Sequence, residues 1–422
     1  MKFTKKILKN GLRVISVPMP DNPSITVLVL VDTGSKYEQK ENNGISHFLE
    51  HMVFKGTPRR PGASLISKEL DSIGAQYNAF TSHEVTAYYA KAAKKHFDKI
   101  LDVVSDMYLN PLFDQKEIDK EKGVIVEEIK MYNDLPQRQV QEVFFELLYG
   151  DQPAGWPVIG SEKNVRSFTK KDFEDYRKIH YIPKATTVVV AGDVDVKKIP
   201  ALVEKAFKGM KDGSKGTKKK VTEKQGAPQL KIAFKETDQT HVVIGFRSFN
   251  IKDKRSATMS VMGGILGGGM SSRLFSKMRD ELGICYYVNA MQDAYTDHGV
   301  FAISAGVDNT RVDVGIKEIL AECKKMCSEL VSEAEMKKVK DYIAGRTLLG
   351  LETSDARAEY CGSEEVMKKE VENPDDYVKK IQKVTAKDVQ KLAKEIFVNK
   401  GLNMAIIGKF KDEKRFAELL KV

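Results

Sequence analysis

The chain has 422 residues, of which 41% are hydrophobic and 30% charged, with a formal net charge of +10. That length is too great for one typical domain and suits two of about 200 residues each. No apolar run approaches the roughly 18 residues of a membrane-spanning helix, and the basic start lacks the apolar stretch of a secretion signal, so neither a membrane partner nor export is expected.

Short apolar runs at residues 13–16 and 26–31 read as strands. The run at 44–52 then carries His47, Glu50 and His51 in the pattern H-x-x-E-H. On a helix, positions i and i+4 share a face, so both imidazoles reach one metal ion. Glu50, three residues after His47, lies on that face and can hold a water beside the metal. Two histidines do not complete a hydrolytic zinc site, which takes three protein ligands and a water. A third ligand is expected elsewhere.

After a helix ending near Gly74, residues 75–82 form a short, partly β-prone stretch containing Asn78, Ala79, Phe80 and Thr81. Residues 114–130 have apolar positions at Ile118, Val124, Ile125 and Ile129 and no proline, which predicts a helix despite Gly123. Glu121 and Glu128 are two turns apart on one stripe, and Glu127 is rotated by about 100° from Glu128. One carboxylate of the pair could bind metal while the other orients a ligand histidine.

H-x-x-E-H at 47–51, followed by Glu121 and Glu128, resembles the pitrilysin/insulinase family of inverted-motif zinc peptidases, and within it the mitochondrial-processing-peptidase-like branch. Residues 44–57 and 78–82 share the resemblance, which runs from about Leu12 to Phe410. It implies one Zn²⁺ per chain, held by His47, His51 and Glu128, with Glu50 as base and Glu121 as supporting carboxylate. It also implies that Asn78, Ala79, Phe80 and Thr81 lie on an edge strand that pairs with the substrate backbone, which tolerates many side chains.

The sequence repeats across its middle. Residues 168–176 lead through a helix to 187–193, and residues 384–392 lead to 404–409. Thr169 matches Thr385, Asp172 matches Asp388 and Gly192 matches Gly408 at one constant offset, which suggests duplicated domains. Between them, 208–220 is a Gly-rich basic run without aromatics, read as a flexible linker. Elsewhere lysines mix with acids, as on solvated helix faces, so no nucleic-acid partner is expected. The division expected is a catalytic domain over 1–208, a flexible basic linker over 209–228 and a homologous domain over 229–422. Strands alternate with long helical stretches, including strand candidates at 242–245 and 301–304, so each half is α+β. The resemblance implies two such halves, each a mostly antiparallel sheet with packed helices, facing each other as a clamshell.

The second half has no metal motif; at the repeat offset Glu128 falls on Ala344. Its Gly cluster at 263–269 is not followed by G-K-[ST], so a tight turn or close backbone approach explains it better than phosphate binding. Arg279 and Tyr286, seven apart, resemble the Arg/Tyr pair that these peptidases turn toward zinc, where both donate to an oxyanion; Tyr287 competes with Tyr286 for that role. With zinc ligands and Arg/Tyr in one chain, no separate catalytic partner is required, and a homodimer or a monomer is expected, the homodimer being favoured. The four cysteines lack zinc-knuckle spacing and read as buried thiols in a reducing cytoplasm. The expected activity is hydrolysis of unfolded peptides in a closed chamber; the alternative is a non-catalytic structural or peptide-binding subunit of the same fold.

Overall fold

A computed structural model describes residues 1–422, which divide into two compact units. The first comprises residues 1–130, 156–219 and 349–372. Its sheet contains β1 (Thr4–Ile7), β2 (Arg13–Pro18), β3 (Ser24–Val31), β4 (Gln76–Thr81), β5 (Thr86–Ala93) and β6 (Thr186–Gly192), in the order β1-β2-β6-β3-β5-β4. Only β2 and β6 pair in parallel. Val27 to Val31 and every residue of β6 are buried. Strands covered on both faces read as continuous apolar runs rather than alternating ones, as these do. Around the sheet stand α1 (Ile45–Val53), α2 (Ala63–Asp71), α3 (Phe97–Leu109) and α4 (Gln115–Asn133).

The second unit comprises residues 131–155, 220–348 and 373–422. It begins with α5 (Pro136–Tyr149), and its sheet contains β7 (Gln229–Phe234), β8 (Gln239–Ser248), β9 (Cys285–Ala294), β10 (Gly299–Asp308) and β11 (Leu402–Gly408). The order is β7-β11-β8-β10-β9, with β7 and β11 the parallel pair. Strand for strand this is the order of β2-β6-β3-β5-β4. The sequence repeat marks the same place in each unit: Thr169 with Asp172, and Thr385 with Asp388, form capping boxes on the helices that lead into β6 and β11.

The units are not the contiguous halves expected from the sequence. Residues 131–155 precede the linker yet belong to the second unit, and 349–372 follow it yet belong to the first. The reason is the second face of each sheet. Ala358, Cys361 and Val366 of the helix Ser354–Lys368 pack on Ile15, Leu28, Leu30 and Val189. Val140, Phe144 and Leu148 of α5 pack on Val243, Ala405 and Ile407. A Cβ on Gly245 would lie 2.4 Å from the Phe144 ring, so this glycine makes room for the helix.

The linker also departs from expectation. Residues 210–225 carry no regular structure, but they are docked rather than loose. Lys215 pairs with buried Asp32 and Lys218 with buried Glu84. Beyond them, the Val221 and Thr222 N–H groups donate to Asp297 and Gln152 at 3.1 and 3.0 Å. The Gly cluster is a close approach, as anticipated: a Cβ on Gly267 would lie 2.4 Å from the Ala290 nitrogen of β9. No helix is long and apolar enough to cross a membrane.

Candidate metal centre

The centre is built on α1. Ile45, Phe48, Leu49, Met52 and Val53 are buried, and Phe48 packs edge-on against Phe173 and Phe168 with ring centroids 5.0 and 5.9 Å away. That apolar stripe fixes the helix rotation and leaves His47, Glu50 and His51 on the other side. The helix starts at Gly44, which has φ +101° and faces Gly160 so closely that a Cβ would lie 2.9 Å from its Cα. Gly44 has no capping side chain. Instead the buried carboxylate of Glu38 accepts the N–H groups of Gly44 and Ser46, each at 2.8 Å, and the Asn43 amide at 2.9 Å. Burial pushes the Glu38 carboxyl up to about 7 against the pull of these donors.

The predicted helix at 114–130 is α4, and it supplies both glutamates. The Nε2 atoms of His47 and His51 lie 3.7 and 3.5 Å from Glu128 Oε2, and one ligand atom from each residue falls within 4.8 Å of the others. Tetrahedral zinc with bonds near 2.1 Å places its ligand atoms about 3.4 Å apart, so the two histidine–carboxylate spacings suit zinc. Glu121 Oε1 accepts the His51 Nδ1 proton at 2.8 Å. A carboxylate only accepts, so this bond fixes the tautomer with the Nε2 lone pair toward Glu128. Glu121 also pairs with Lys55 at 2.6 Å. Burial would raise its carboxyl, but the bonds from His51 and Lys55 outweigh burial and hold it below its ordinary range. Glu127 points away and pairs with Lys130 at 2.8 Å.

Glu50 accepts a 2.6 Å hydrogen bond from the Thr81 hydroxyl. Burial raises its carboxyl above the ordinary range; Thr81 and His51 act in the opposite sense and Glu128 adds to the rise. A raised carboxyl is a stronger base. Thr81 ends β4, an edge strand paired only with β5. Along it Asn78 is exposed, Ala79 is buried, and Phe80 and Thr81 are half-buried. The Ala79 N–H is taken by the Asn78 side chain at 2.9 Å.

Arg279 and Tyr286 belong to the second unit and form a local pair. Arg279 Nη1 donates to the Tyr286 carbonyl at 2.6 Å, and its guanidinium lies 4.9 Å from the Tyr286 ring. Tyr286 is 69% exposed. The Tyr287 hydroxyl is instead bonded to His241 Nδ1 at 3.0 Å. Tyr287 also lines a cavity of about 600 Å³ together with Phe145, Met291 and Asp293.

Sequence reasoning missed Glu38, Lys55 and the Thr81–Glu50 bond. Lys55 was findable, since it stands one turn after His51 on the same face. Nothing in the sequence marks Glu38, which reaches the helix across a loop, or tells which glutamate Thr81 touches.

Residues 13–162 match the family model Insulinase (Peptidase family M16), and 167–343 match Peptidase M16 inactive domain. A protein of Rickettsia felis named an uncharacterized zinc protease is 36% identical over 396 residues, covering 94% of this chain and 95% of its own. The uncharacterized zinc protease YmxG of Bacillus subtilis is 35% identical over 395 residues, 92% of this chain and 94% of its own. Among solved structures, a protease from Helicobacter pylori superposes with a TM-score of 0.91 at 26% identity, over 96% of this chain and 99% of its own. A Pseudomonas fluorescens structure described as a peptidase M16 inactive domain shares the fold, with a TM-score of 0.89 at 15% identity over 97% and 99%. The chain belongs to the insulinase family of peptidases, family M16.

Proposed function

We propose that this protein is a zinc-dependent endopeptidase that hydrolyses unfolded peptides, with one Zn²⁺ per chain held by His47, His51 and Glu128. The observation that carries the reading is the convergence of two imidazole nitrogens on one carboxylate, beside a half-buried glutamate whose carboxyl is raised. A zinc ion held by such a set acidifies water and polarises a carbonyl. Glu50 takes the proton of the attacking water and passes it to the leaving amine. Glu121 keeps His51 in its ligating tautomer. Tyr286 and Arg279 donate to the oxyanion. The edge of β4 around Asn78, Ala79 and Phe80 takes the substrate backbone as an added strand, the Asn78 side chain yielding the Ala79 N–H to it, which selects for extended, unfolded chains. A purely structural subunit would have no use for a fixed histidine tautomer or a desolvated base.

The test is cleavage of a quenched fluorescent unstructured peptide, with metal content measured on the same sample. Glu50→Gln is expected to keep zinc and lose roughly 10²-fold or more in turnover, and a chelator is expected to abolish turnover. A near-normal rate for Glu50→Gln would remove Glu50 as the base. Bound zinc without turnover on several peptides would favour the peptide-binding or structural alternative.

A further inference from the structure

Residues 33–38 touch both halves of the proposed site. On one side they hold the turn that joins β4 to β5. The Ser35 and Lys36 N–H groups donate to the carbonyls of Ser82 and His83 at 3.2 and 2.8 Å, and Thr86 donates to the Thr33 carbonyl at 3.1 Å. The approach is so close that a Cβ on Gly34 would lie 2.2 Å from the Ser82 oxygen. Lys36 Nζ bonds Glu84 Oε1 in that turn at 2.9 Å, with side chains only 1% and 2% exposed. On the other side, Glu38 caps α1 through Gly44 and Ser46. Tyr176 ties the two sides together, bonding Ser46 and Thr33 at 2.7 Å each.

The Thr81–Glu50 hydrogen bond closes the circuit. Starting from Glu38, it runs through α1 to Glu50, across to Thr81 at the end of β4, round the turn to Glu84, and back through Lys36. A buried Lys–Glu pair is a poor device for stability, because desolvation consumes most of what the attraction supplies. Its usefulness here is geometric: Lys36 fixes the turn against residues 33–38, while Lys218 of the linker holds the same carboxylate from the other segment.

We propose that Glu38 and the Lys36–Glu84 pair are positioning residues for peptide hydrolysis, a reading that rests on the peptidase assignment above. Glu38 sets the start of the metal-binding helix and with it the direction of His47, Glu50 and His51. Lys36 and Glu84 set the strand that receives the substrate. The two parts therefore have separate kinetic signatures. An error of about 1 Å in a catalytic constellation costs up to about 10²-fold, whereas a displaced substrate strand weakens ground-state and transition-state binding alike and raises KM.

The experiment compares Glu38→Gln, the double variant Lys36→Met/Glu84→Gln, and Glu365→Gln, which alters an equally buried carboxylate outside the circuit. Zinc affinity by chelator competition, kcat, KM and Tm are measured on each full-length chain. Glu38→Gln is expected to weaken zinc about tenfold and lower kcat by about 10–100-fold, with KM little changed. The double variant is expected to raise KM about tenfold, with kcat and zinc affinity little changed; Lys36→Arg alone, which keeps a cation on Glu84, should hold KM near wild type, and Lys218→Met, which removes only the linker's contact with Glu84, should not reproduce the rise. If Glu38→Gln does not fold, Glu38→Asp takes its place with the same readouts. Losses that merely track Tm, as in Glu365→Gln, would overturn the proposal. Zinc affinity separates the two readings. A wild type that cleaves nothing defeats the peptidase assignment, while an unchanged zinc affinity in Glu38→Gln defeats the role of Glu38 whether or not peptides are cut.

Discussion

The two sheets share one strand order but treat the helix that follows the equivalent strands β3 and β8 in opposite ways. After β3 comes α1, apolar on one side and carrying His47, Glu50 and His51 on the other. After β8 comes the helix Ser256–Gly267, in which Ala257, Met259, Val261, Met262, Gly263, Ile265 and Leu266 are all buried. Its glycines press against β9 at Ala290 and against Val339, and its polar side chains are only Ser256, Thr258 and Ser260, the last accepting from the Tyr377 hydroxyl at 3.0 Å. The duplicated scaffold thus carries either a face with two histidines and a glutamate or a packed one, and a few side chains decide which. The counterpart of α4, with its two site glutamates, is the helix Glu333–Leu349, which buries only Met336 and Val339 and has Ala344 at the repeat position of Glu128.

Two adjacent tyrosines test whether the second unit contributes to catalysis at all. Tyr286→Phe is expected to lower kcat about 10²-fold as a lost oxyanion donor, whereas Tyr287→Phe, which loses its bond to His241, should change kcat by no more than about threefold. Steady-state kinetics on peptide reads both, and equal effects would break the assignment of the pair. On the first unit, Glu121→Gln should weaken zinc about 10–100-fold by releasing the His51 tautomer, measured by chelator competition. In the packed helix, Gly267→Ala should cost about 1–3 kcal/mol through overpacking against Ala290, seen as a lower Tm with zinc affinity unchanged. The smallest effect concerns pH. Glu50 must be ionised to act as base, and its raised carboxyl places the acid limb of kcat/KM above the ordinary carboxylate range, with activity lost as pH falls through it. Thr81→Val removes a bond that favours the charged form, so the limb should move to still higher pH.

Much of this was legible in the residues, because the signals were local. H-x-x-E-H lies within one helical turn, and Glu121 and Glu128 share a stripe that helix geometry alone predicts. The capping Thr/Asp pairs at 169 and 385 revealed the duplication. What stayed hidden depends on contacts between distant segments. Glu38 acts through a loop, Thr81 reaches Glu50 across 31 residues, and the basic linker looked flexible because sequence does not show that Asp32 and Glu84 wait buried for its lysines. The contiguous domain boundary failed for the same reason. Nothing local in α5 or Ser354–Lys368 says which sheet each will cover.

That exchange of covering helices bears on how the chain is made. The last strand of the first sheet, β6, ends at Gly192, but the helix that covers Leu28, Leu30 and Val189 ends only at Lys368. At synthesis rates of about 5–20 residues per second, the gap lasts roughly 9–35 s. Throughout that interval the nascent sheet presents a bare aliphatic face, while α5 waits in its turn for strands not yet made. The first sheet and its cover are thus separated in time as well as in sequence, and the same holds in reverse for α5 and the second sheet.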